Sequence, residues 1–154
     1  MARDLKEAAE ILEEHGLDLT KLLQDTHAET MLRLGTLLDE CLELVLKMHM
    51  LKNGKTVNER IFQKGGKLEK LGCKIKKAKD LGLLDEVSHS DADLLREIRN
   101  EFGHLKKKLH FDSPEIVEWV KKLSTYEAAE TNQAAILAAV SKVTDYLRAK
   151  ARAG

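Results

Sequence analysis

The chain has 154 residues, which is enough for one domain whose core needs no disulfide or metal to hold it together. Its 26 Lys and Arg residues balance 26 Asp and Glu residues, so no overall charge attracts it to nucleic acid or to an anionic membrane. The composition therefore excludes a strongly basic nucleic-acid-binding protein, and any such contact has to come from a local patch.

No apolar stretch approaches the roughly 20 residues that a membrane span needs. The longest one, around Leu42–Leu51, is interrupted by Glu43, Lys47 and His49. The acidic and amphipathic start, MARDLKEAAEILEEHG, is unlike a secretory signal. We therefore expect a cytoplasmic protein without a membrane anchor.

The cysteines and most histidines predict no metal site and no cofactor. Cys41 and Cys73 fall in apolar, helix-like stretches without Cys-x-x-Cys spacing, and we expect each to be a small buried hydrophobic residue. Four histidines lie far apart without i, i+4 pairing: His15, His27, His49 and His89.

The first half of the chain predicts three helices. Stretches rich in Leu, Lys, Glu and Ala indicate helix, and β-branched runs that would indicate strands are missing. We predict one helix over residues 3–14, a long one over about Leu19–Leu51, and a short one over about Val57–Gln63. The long helix carries a stripe that we expect to face the core, made of Leu34, Leu37, Leu38, Cys41, Leu44, Val45 and Met48.

The second half predicts four more helices. The segment KLEKLGCKIKKAKDLG, residues 67–82, is helical, and Ser90 is the predicted N-cap of the next helix, over residues 91–109. Ser113 and Pro114 begin a helix that runs to Leu123, and a final helix covers about 131–149. In the helix of residues 67–82 we expect four side chains to face inward: Leu68, Leu71, Ile75 and Ala78. In the helix of residues 91–109 we expect Asp91 and Asp93 in the first turn, where the helix dipole favours negative charge.

The sequence therefore predicts an all-α fold. We expect residues 1–154 to form a single-domain helical bundle of five to seven helices.

The helix over residues 91–109 has two distinct faces when its residues are placed about 100° apart. One face is apolar: Leu94, Leu95, Ile98, Phe102, Leu105 and Leu109. The other is polar: Arg96, Arg99, Asn100, Gly103, His104 and Lys107. Glycine in a helix interior costs about 1 kcal/mol relative to alanine, and no crowding within one chain requires it on this outward face. Gly103 therefore indicates that something, most simply another helix, approaches this face closely.

Three residues of the polar face, Arg99, Asn100 and His104, predict a site. They combine a fixed cation, a hydrogen-bonding amide and an imidazole, a set that suits phosphate-bearing ligands and acid–base chemistry. Arg99 and His104 are about 140° apart on the wheel, so a straight helix does not direct both at one atom. A solvated helix face is the alternative, since every surface helix has one.

The segment RNEFGH, residues 99–104, has the Arg-x4-His form that the HEPN superfamily of helical bundles carries. Together with KDLGLLDE before it and LHFDSPEI after it, the segment resembles the mannitol-repressor (MltR) family more specifically. The resemblance is clearest over about residues 67–123 and extends loosely over about residues 30–124. Gly103 stands where alanine is commoner in that family.

The HEPN resemblance implies a metal-independent endoribonuclease that forms a homodimer. Arg99 would then stabilise charge on the scissile phosphate, His104 would act as general base or acid, and Asn100 would orient one of them. Because the two side chains diverge on one helix, a symmetric partner that supplies a second arginine is one way to complete the site, and a local helix distortion is another.

The mannitol-repressor resemblance implies a regulatory protein without an evident helix-turn-helix, acting through protein or RNA partners. Direct DNA binding is disfavoured, because acidic residues occupy the start of the helix where a recognition helix carries base-reading groups. Lys106, Lys107 and Lys108, with the lysines of KIKKAK, are candidates for an RNA-backbone groove, although ordinary solvated helix faces explain them better.

We thus expect an MltR-like or HEPN-like regulator that acts through protein or RNA partners. The first alternative is an endoribonuclease that uses Arg99 and His104. In the second alternative the motif is structural, and Arg99 and Asn100 tie the loop around HFDSPE to the helix. His110 is expected at a helix end, and Phe111 and Trp119 are expected to pack the last helices.

Overall fold

The computed structural model describes residues 19–104 and 109–153, with side chains from residue 26 onward. Within these ranges the chain is helical and contains no strand, which confirms the all-α prediction. The α-helices are α1 (Leu19–Lys52), α2 (Leu71–Asp80), α3 (Glu86–Phe102), α4 (Pro114–Val120) and α5 (Asn132–Ala153). A 3-10 helix, Glu59–Phe62, replaces the short α-helix predicted at this point. The helix predicted over residues 3–14 lies outside the described residues.

The long helix α1 ends one residue beyond its predicted end, but its buried face differs from the predicted one. Of the predicted core stripe only Leu38 and Val45 are buried, and Leu37, Leu44 and Met48 are exposed. The face that packs against α2, α3 and α5 consists of Met31, Leu38, Leu42, Val45 and Leu46. The prediction was wrong because α1 has two adjacent apolar stripes, and periodicity does not show which of them meets the rest of the bundle.

Helix α3 begins earlier than predicted. Its N-cap is Asp85, whose carboxylate accepts a hydrogen bond from the backbone N–H of Ser88 at 2.8 Å. The backbone and side-chain hydrogen bonds with Ser88 hold the pKa of Asp85 below its usual value. Ser90, the predicted cap, therefore lies inside the helix. Asp85 and Ser90 are both good capping residues, and the one nearer to the preceding turn is used.

The other helix boundaries are close to their predicted positions. Ser113 and Pro114 begin α4 as predicted, but this helix ends at Val120, before Leu123. Thr131 accepts a hydrogen bond from the N–H of Ala134 through its hydroxyl, and α5 then extends past its predicted end to Ala153. In the segment around α2 the four predicted inward residues are all buried: Leu68, Leu71, Ile75 and Ala78.

The core lies where α1, α3 and α5 meet, with α2 and α4 closing its sides. Its fully buried side chains come from all five helices and include Leu42, Leu46, Ile75, Leu95, Ile98, Ile116, Ile136 and Leu147. Each such side chain contributes about 1.5–3 kcal/mol of hydrophobic free energy. Phe111 is also buried and Trp119 packs against the core, as predicted for the last helices.

The two cysteines differ from the prediction. Cys41 is half-buried in α1, and Cys73 is exposed in α2. Cys73 was expected inside because the flanking leucine and isoleucine are apolar. However, Leu71 and Ile75 lie on the buried face of α2, and Cys73 between them points away from it.

None of the described helices combines the length and the apolar character that crossing a membrane requires.

Asp91 is a buried carboxylate that fastens α3 to the segment after α4. It accepts hydrogen bonds from the backbone N–H of Ser124 at 2.9 Å and from the Ser124 hydroxyl. Lys142 of α5 donates to the same hydroxyl at 3.0 Å. The sequence analysis placed Asp91 in the first turn of a helix, and this was wrong because α3 already begins at Glu86.

We expect Asp91→Ala to lower the free energy of unfolding by about 2–4 kcal/mol, because hydrogen bonds to a charged group contribute about 1.5–3 kcal/mol each. The control is Asp145→Ala, which removes an ion pair to Arg148 whose two side chains are more than half exposed. Such surface pairs contribute at most about 1 kcal/mol. Urea unfolding measures both variants, and equal losses would contradict the assigned role of Asp91.

Candidate functional site

An open cleft of about 450 Å³ lies where α1, α2 and α3 approach one another. Two of the predicted site residues, Arg99 and Asn100, line it. The remaining lining residues come from α1, α3 and the region around the start of α2: Asp39, Arg96, Glu69, Lys70, Leu71, Gly72 and Cys73.

Gly35 of α1 provides the space for the Arg99 side chain. A Cβ atom at position 35 would lie 2.5 Å from Cδ of Arg99 and 3.3 Å from its Nε, distances at which the arginine would have to move. The aliphatic part of Arg99 therefore packs directly on the α1 backbone. Burying the methylenes of an arginine in this way leaves its guanidinium group to interact at the surface.

Arg96 packs on Gly72 of α2 in a similar way, since a Cβ there would lie 3.2 Å from Cδ of Arg96. Its guanidinium is already engaged within the chain, however. Nη2 donates to Glu97 at 2.9 Å, and Nε lies 3.5 Å from a carboxylate oxygen of Asp93, although this buried nitrogen makes no hydrogen bond. Arg96 is thus a wall of the cleft, with its charge compensated by its own helix.

Lys74 and Asp39 form an ion pair at the edge of the cleft. The Lys74 side chain is 3% exposed, and its Nζ donates to Asp39 at 2.8 Å and to the backbone carbonyl of Glu69 at 3.0 Å. Lys74 belongs to the KIKKAK run that the sequence assigned to a solvated face, and for this residue the assignment was wrong. Lys76, Lys77 and Lys79 of the same run are exposed.

Arg99 and Asn100 have no polar partner of their own in the described part of the chain. Neither side chain makes a hydrogen bond or an ion pair with another residue in residues 26–104 or 109–153. Arg99 is half-buried and Asn100 is exposed. A guanidinium group held at the surface on a packed aliphatic chain, without an anion beside it, is a ready binding group for a ligand anion.

His104 follows the end of α3 and does not line the cleft. The helix stops at Phe102, and the N–H of Gly103 donates to the carbonyls of Arg99 and Asn100, both at 3.1 Å. The straight helix predicted over residues 91–109 is therefore wrong, and the 140° separation derived from it does not apply. His104 is exposed, and its side chain forms no hydrogen bond with the described residues.

Gly103 lies at the C-terminal end of α3. Among the described residues, a Cβ at position 103 would meet two backbone oxygens of its own helix, at 3.3 and 3.6 Å. The approach of another helix to this face from outside the chain stays a prediction. Lys106, Lys107 and Lys108, the weaker nucleic-acid candidates, lie outside the described residues, as does Leu105.

The loop around HFDSPE is held by residues other than Arg99 and Asn100. The ring of His27 stacks on Phe111 with a centroid distance of 4.8 Å, and its Nδ1 accepts from the Phe111 N–H at 3.2 Å. Ser113 accepts from the N–H of His110 at 2.9 Å, and His110 itself accepts from the N–H of Asp112 just before α4. The contacts expected of a structural motif are therefore made by His27 and Ser113.

Sequence reasoning missed two residues that line the cleft, Asp39 and Arg96, and two that support its side chains, Gly35 and Lys74. Gly35 carried a usable signal, since a glycine within a long Leu-rich helix indicates a close approach. Asp39 and Lys74 carried none, because their pairing depends on how α1 and α2 pack. Within the described residues no three His, Cys, Asp or Glu side chains group together as metal ligands would.

Comparisons with known protein families, with curated proteins and with solved structures found no match to this chain.

We expect Gly35→Ala to displace the Arg99 side chain with a net stability change within about 1 kcal/mol, because alanine favours helix by a similar amount. Nuclear magnetic resonance of the arginine Nε–H groups measures the displacement. Gly35→Ala should shift the Arg99 signal and leave Arg96 in place, and Gly72→Ala should do the reverse. An unmoved Arg99 signal in Gly35→Ala would contradict the packing described above.

Proposed function

We propose that this chain is a helical regulatory protein, similar to the MltR and HEPN proteins, that binds the phosphate backbone of RNA at the cleft beside α3. The observation that carries the proposal is the half-buried Arg99, which has no anionic partner in the described chain. A phosphate oxygen pair would provide the acceptors that its guanidinium group lacks.

The other arginines with described side chains support this choice. Arg33, Arg96 and Arg148 each pair with a carboxylate of their own helix. Arg60 and Arg152 are exposed, where water solvates the charge. Arg99 alone among these is both half-buried and without a carboxylate partner, so its charge is the one that a bound anion would compensate.

RNA is favoured over double-stranded DNA by the charges near α3. The start of this helix carries Asp85 and Glu86, which would repel a phosphate backbone where a recognition helix enters the groove. With a balanced net charge, binding depends on a few local contacts, and a single strand can place one or two phosphates in a small cleft. Asn100 beside Arg99 would donate to a phosphate or ribose oxygen.

We expect Arg99→Ala to weaken binding of a fluorescein-labelled single-stranded RNA about tenfold, since one lost charge-assisted contact contributes about 1.4 kcal/mol or more. The matched control is Arg33→Ala, which removes the same charge from an exposed site paired with Glu29. Fluorescence anisotropy at two salt concentrations measures both variants, and Arg99→Ala should also reduce the salt dependence.

Two outcomes would overturn the RNA-binding proposal. One is that the unmodified protein does not bind the RNA at low salt, which would favour a regulator acting through a protein partner. The other is an equal loss in Arg99→Ala and Arg33→Ala, which would show that only the overall charge matters.

A second candidate function is metal-independent RNA cleavage by Arg99 and His104. It is favoured by the exposed position of His104 just beyond the helix end, where it is not held by the rest of the described chain. In this mechanism His104 would take the proton of a ribose 2′-hydroxyl. The 2′-oxygen would then attack the adjacent phosphorus while Arg99 stabilises the developing charge. The bond from phosphorus to the 5′-oxygen breaks, the 5′-oxygen takes a proton from water, and a 2′,3′-cyclic phosphate remains.

We expect an active protein to cleave RNA in excess chelator and to lose at least about 100-fold of its rate in His104→Ala, because general acid–base catalysis contributes 10²–10⁴-fold. Arg99→Ala should lose a comparable amount. His89→Ala, a histidine that contacts Asp93 instead, serves as the control at matched melting temperature. If the unmodified protein and all variants bind RNA without cleaving it, the RNA-binding proposal stands and the ribonuclease function is excluded.

A further inference from the structure

A continuous line of side chains along the outer side of α1 is left largely uncovered by the described residues. We call it the heptad stripe, and it consists of Leu37, Cys41, Leu44, Met48 and Leu51, with alternating spacings of four and three residues. Leu37, Leu44, Met48 and Leu51 are 51%, 62%, 42% and 61% exposed. Among the described residues, four of the seven large exposed hydrophobic side chains lie in this one line, so their exposure is not scattered.

The heptad stripe borders an apolar groove of about 400 Å³ between α1 and α5. The α5 side of the groove is formed by Thr144, Arg148, Ala151 and Arg152. Burial raises the pKa of the Cys41 thiol, which keeps this position of the stripe uncharged. A spacing of four and three over two heptads is that of a helix seam that packs against a second helix.

The chain that precedes α1 does not reach the heptad stripe if it folds as the sequence predicts. A helix over residues 3–14, turned back along α1, would extend about 18 Å at 1.5 Å per residue. It would end near residue 30, before Leu37. The stripe thus needs an occupant other than the predicted first helix.

We propose that the occupant is a second copy of this chain, with the two heptad stripes packed against each other about a two-fold axis. The stripe is nearly symmetric about Leu44, with a leucine seven residues away on either side, so a second copy presents a matching surface. The balanced net charge gives no overall repulsion between copies.

An anionic membrane fits the same surface less well. An interfacial helix carries Lys and Arg along both edges of its apolar face. Here Glu40 lies in the groove together with Arg148, so the edges carry both signs. The mixed charges favour a protein surface over a lipid headgroup layer.

The proposed contact goes beyond the proposed RNA-binding function and leaves its cleft open. Gly35 is the residue of α1 on which Arg99 packs, and Leu44 lies nine residues further along the helix. At about 100° per residue, Gly35 and Leu44 are therefore on opposite sides of α1. The copies would therefore join back to back, each with its own accessible Arg99. This differs from a dimer in which the two copies share one site.

Sedimentation velocity tests the contact. We expect the unmodified protein to sediment with twice the mass of the chain at micromolar concentration, and Leu44→Glu to sediment with half that mass and an unchanged helical circular-dichroism spectrum. Leu137→Glu, which changes a leucine on α5 that is 44% exposed, is the matched control and should remain dimeric. A monomeric unmodified protein, or equal dissociation of both variants, would overturn the proposal.

A cross-link tests the position of the axis without depending on a disrupted surface. In any two-fold pairing that buries the whole stripe, Leu44 of one copy lies opposite Leu44 of the other. Leu44→Cys in a protein with Cys41→Ser and Cys73→Ser should therefore form a disulfide-linked dimer with copper–phenanthroline, and Leu137→Cys should not. Failure of Leu44→Cys to cross-link while the protein is dimeric would place the contact elsewhere.

The RNA experiments remain separate from these. Leu44→Glu should keep the RNA affinity per chain, since Arg99 and its seat are untouched. A failed dimer test with intact RNA binding, or the reverse, thus identifies which of the two proposals is wrong.

Discussion

The burial of one face of α1 is the constraint on which the rest of the structure depends. Leu38, Leu42 and Leu46 of that face contact the bundle formed with α2, α3 and α5, and they fix the rotation of a 34-residue helix about its axis. Once this rotation is set, Gly35 faces α3 and seats Arg99, and Asp39 meets Lys74 of α2. The same rotation leaves the heptad stripe on the outside. The rotation of α1 about its axis therefore determines both the cleft and the exposed apolar stripe.

At the cleft, the positive charges of Arg96 and Lys74 are paired with carboxylates, whereas that of Arg99 is not paired within the described residues. Arg96 and Lys74 are held by carboxylates and form rigid walls, and such fixed partners limit what they can do for a ligand. Arg99 has its methylenes packed on a glycine and its charge unpaired within the described residues. A guanidinium positioned in this way loses little side-chain entropy when an anion binds, which is the physical basis of the proposed phosphate contact.

The sequence predicted the helices better than their environments. The C-terminal end of α1 and the Ser113–Pro114 start of α4 were predicted to within one residue, because local signals such as caps, glycines and prolines decide them. The start of α3 was misplaced by several residues because Asp85 and Ser90 offer competing caps. Its end was misplaced because Gly103 was taken as an interior residue, although its N–H closes the last turn. In the site, Arg99 and Asn100 were predicted to act together and both line the cleft, but the separate position of His104 followed from that helix end.

The sequence by itself determined the all-α class, the inward face of α2, the polar face of α3 and the heptad spacing on α1. These features depend on the period of the helix and on neighbours a few residues away. Only the tertiary structure decided which apolar stripe of α1 is buried, that Lys74 is inside and paired, and that Arg99 is seated on Gly35. The physical reason is that a helical period gives the angle of each side chain about its own axis. It does not give the shape or charge of the helix that will pack against it.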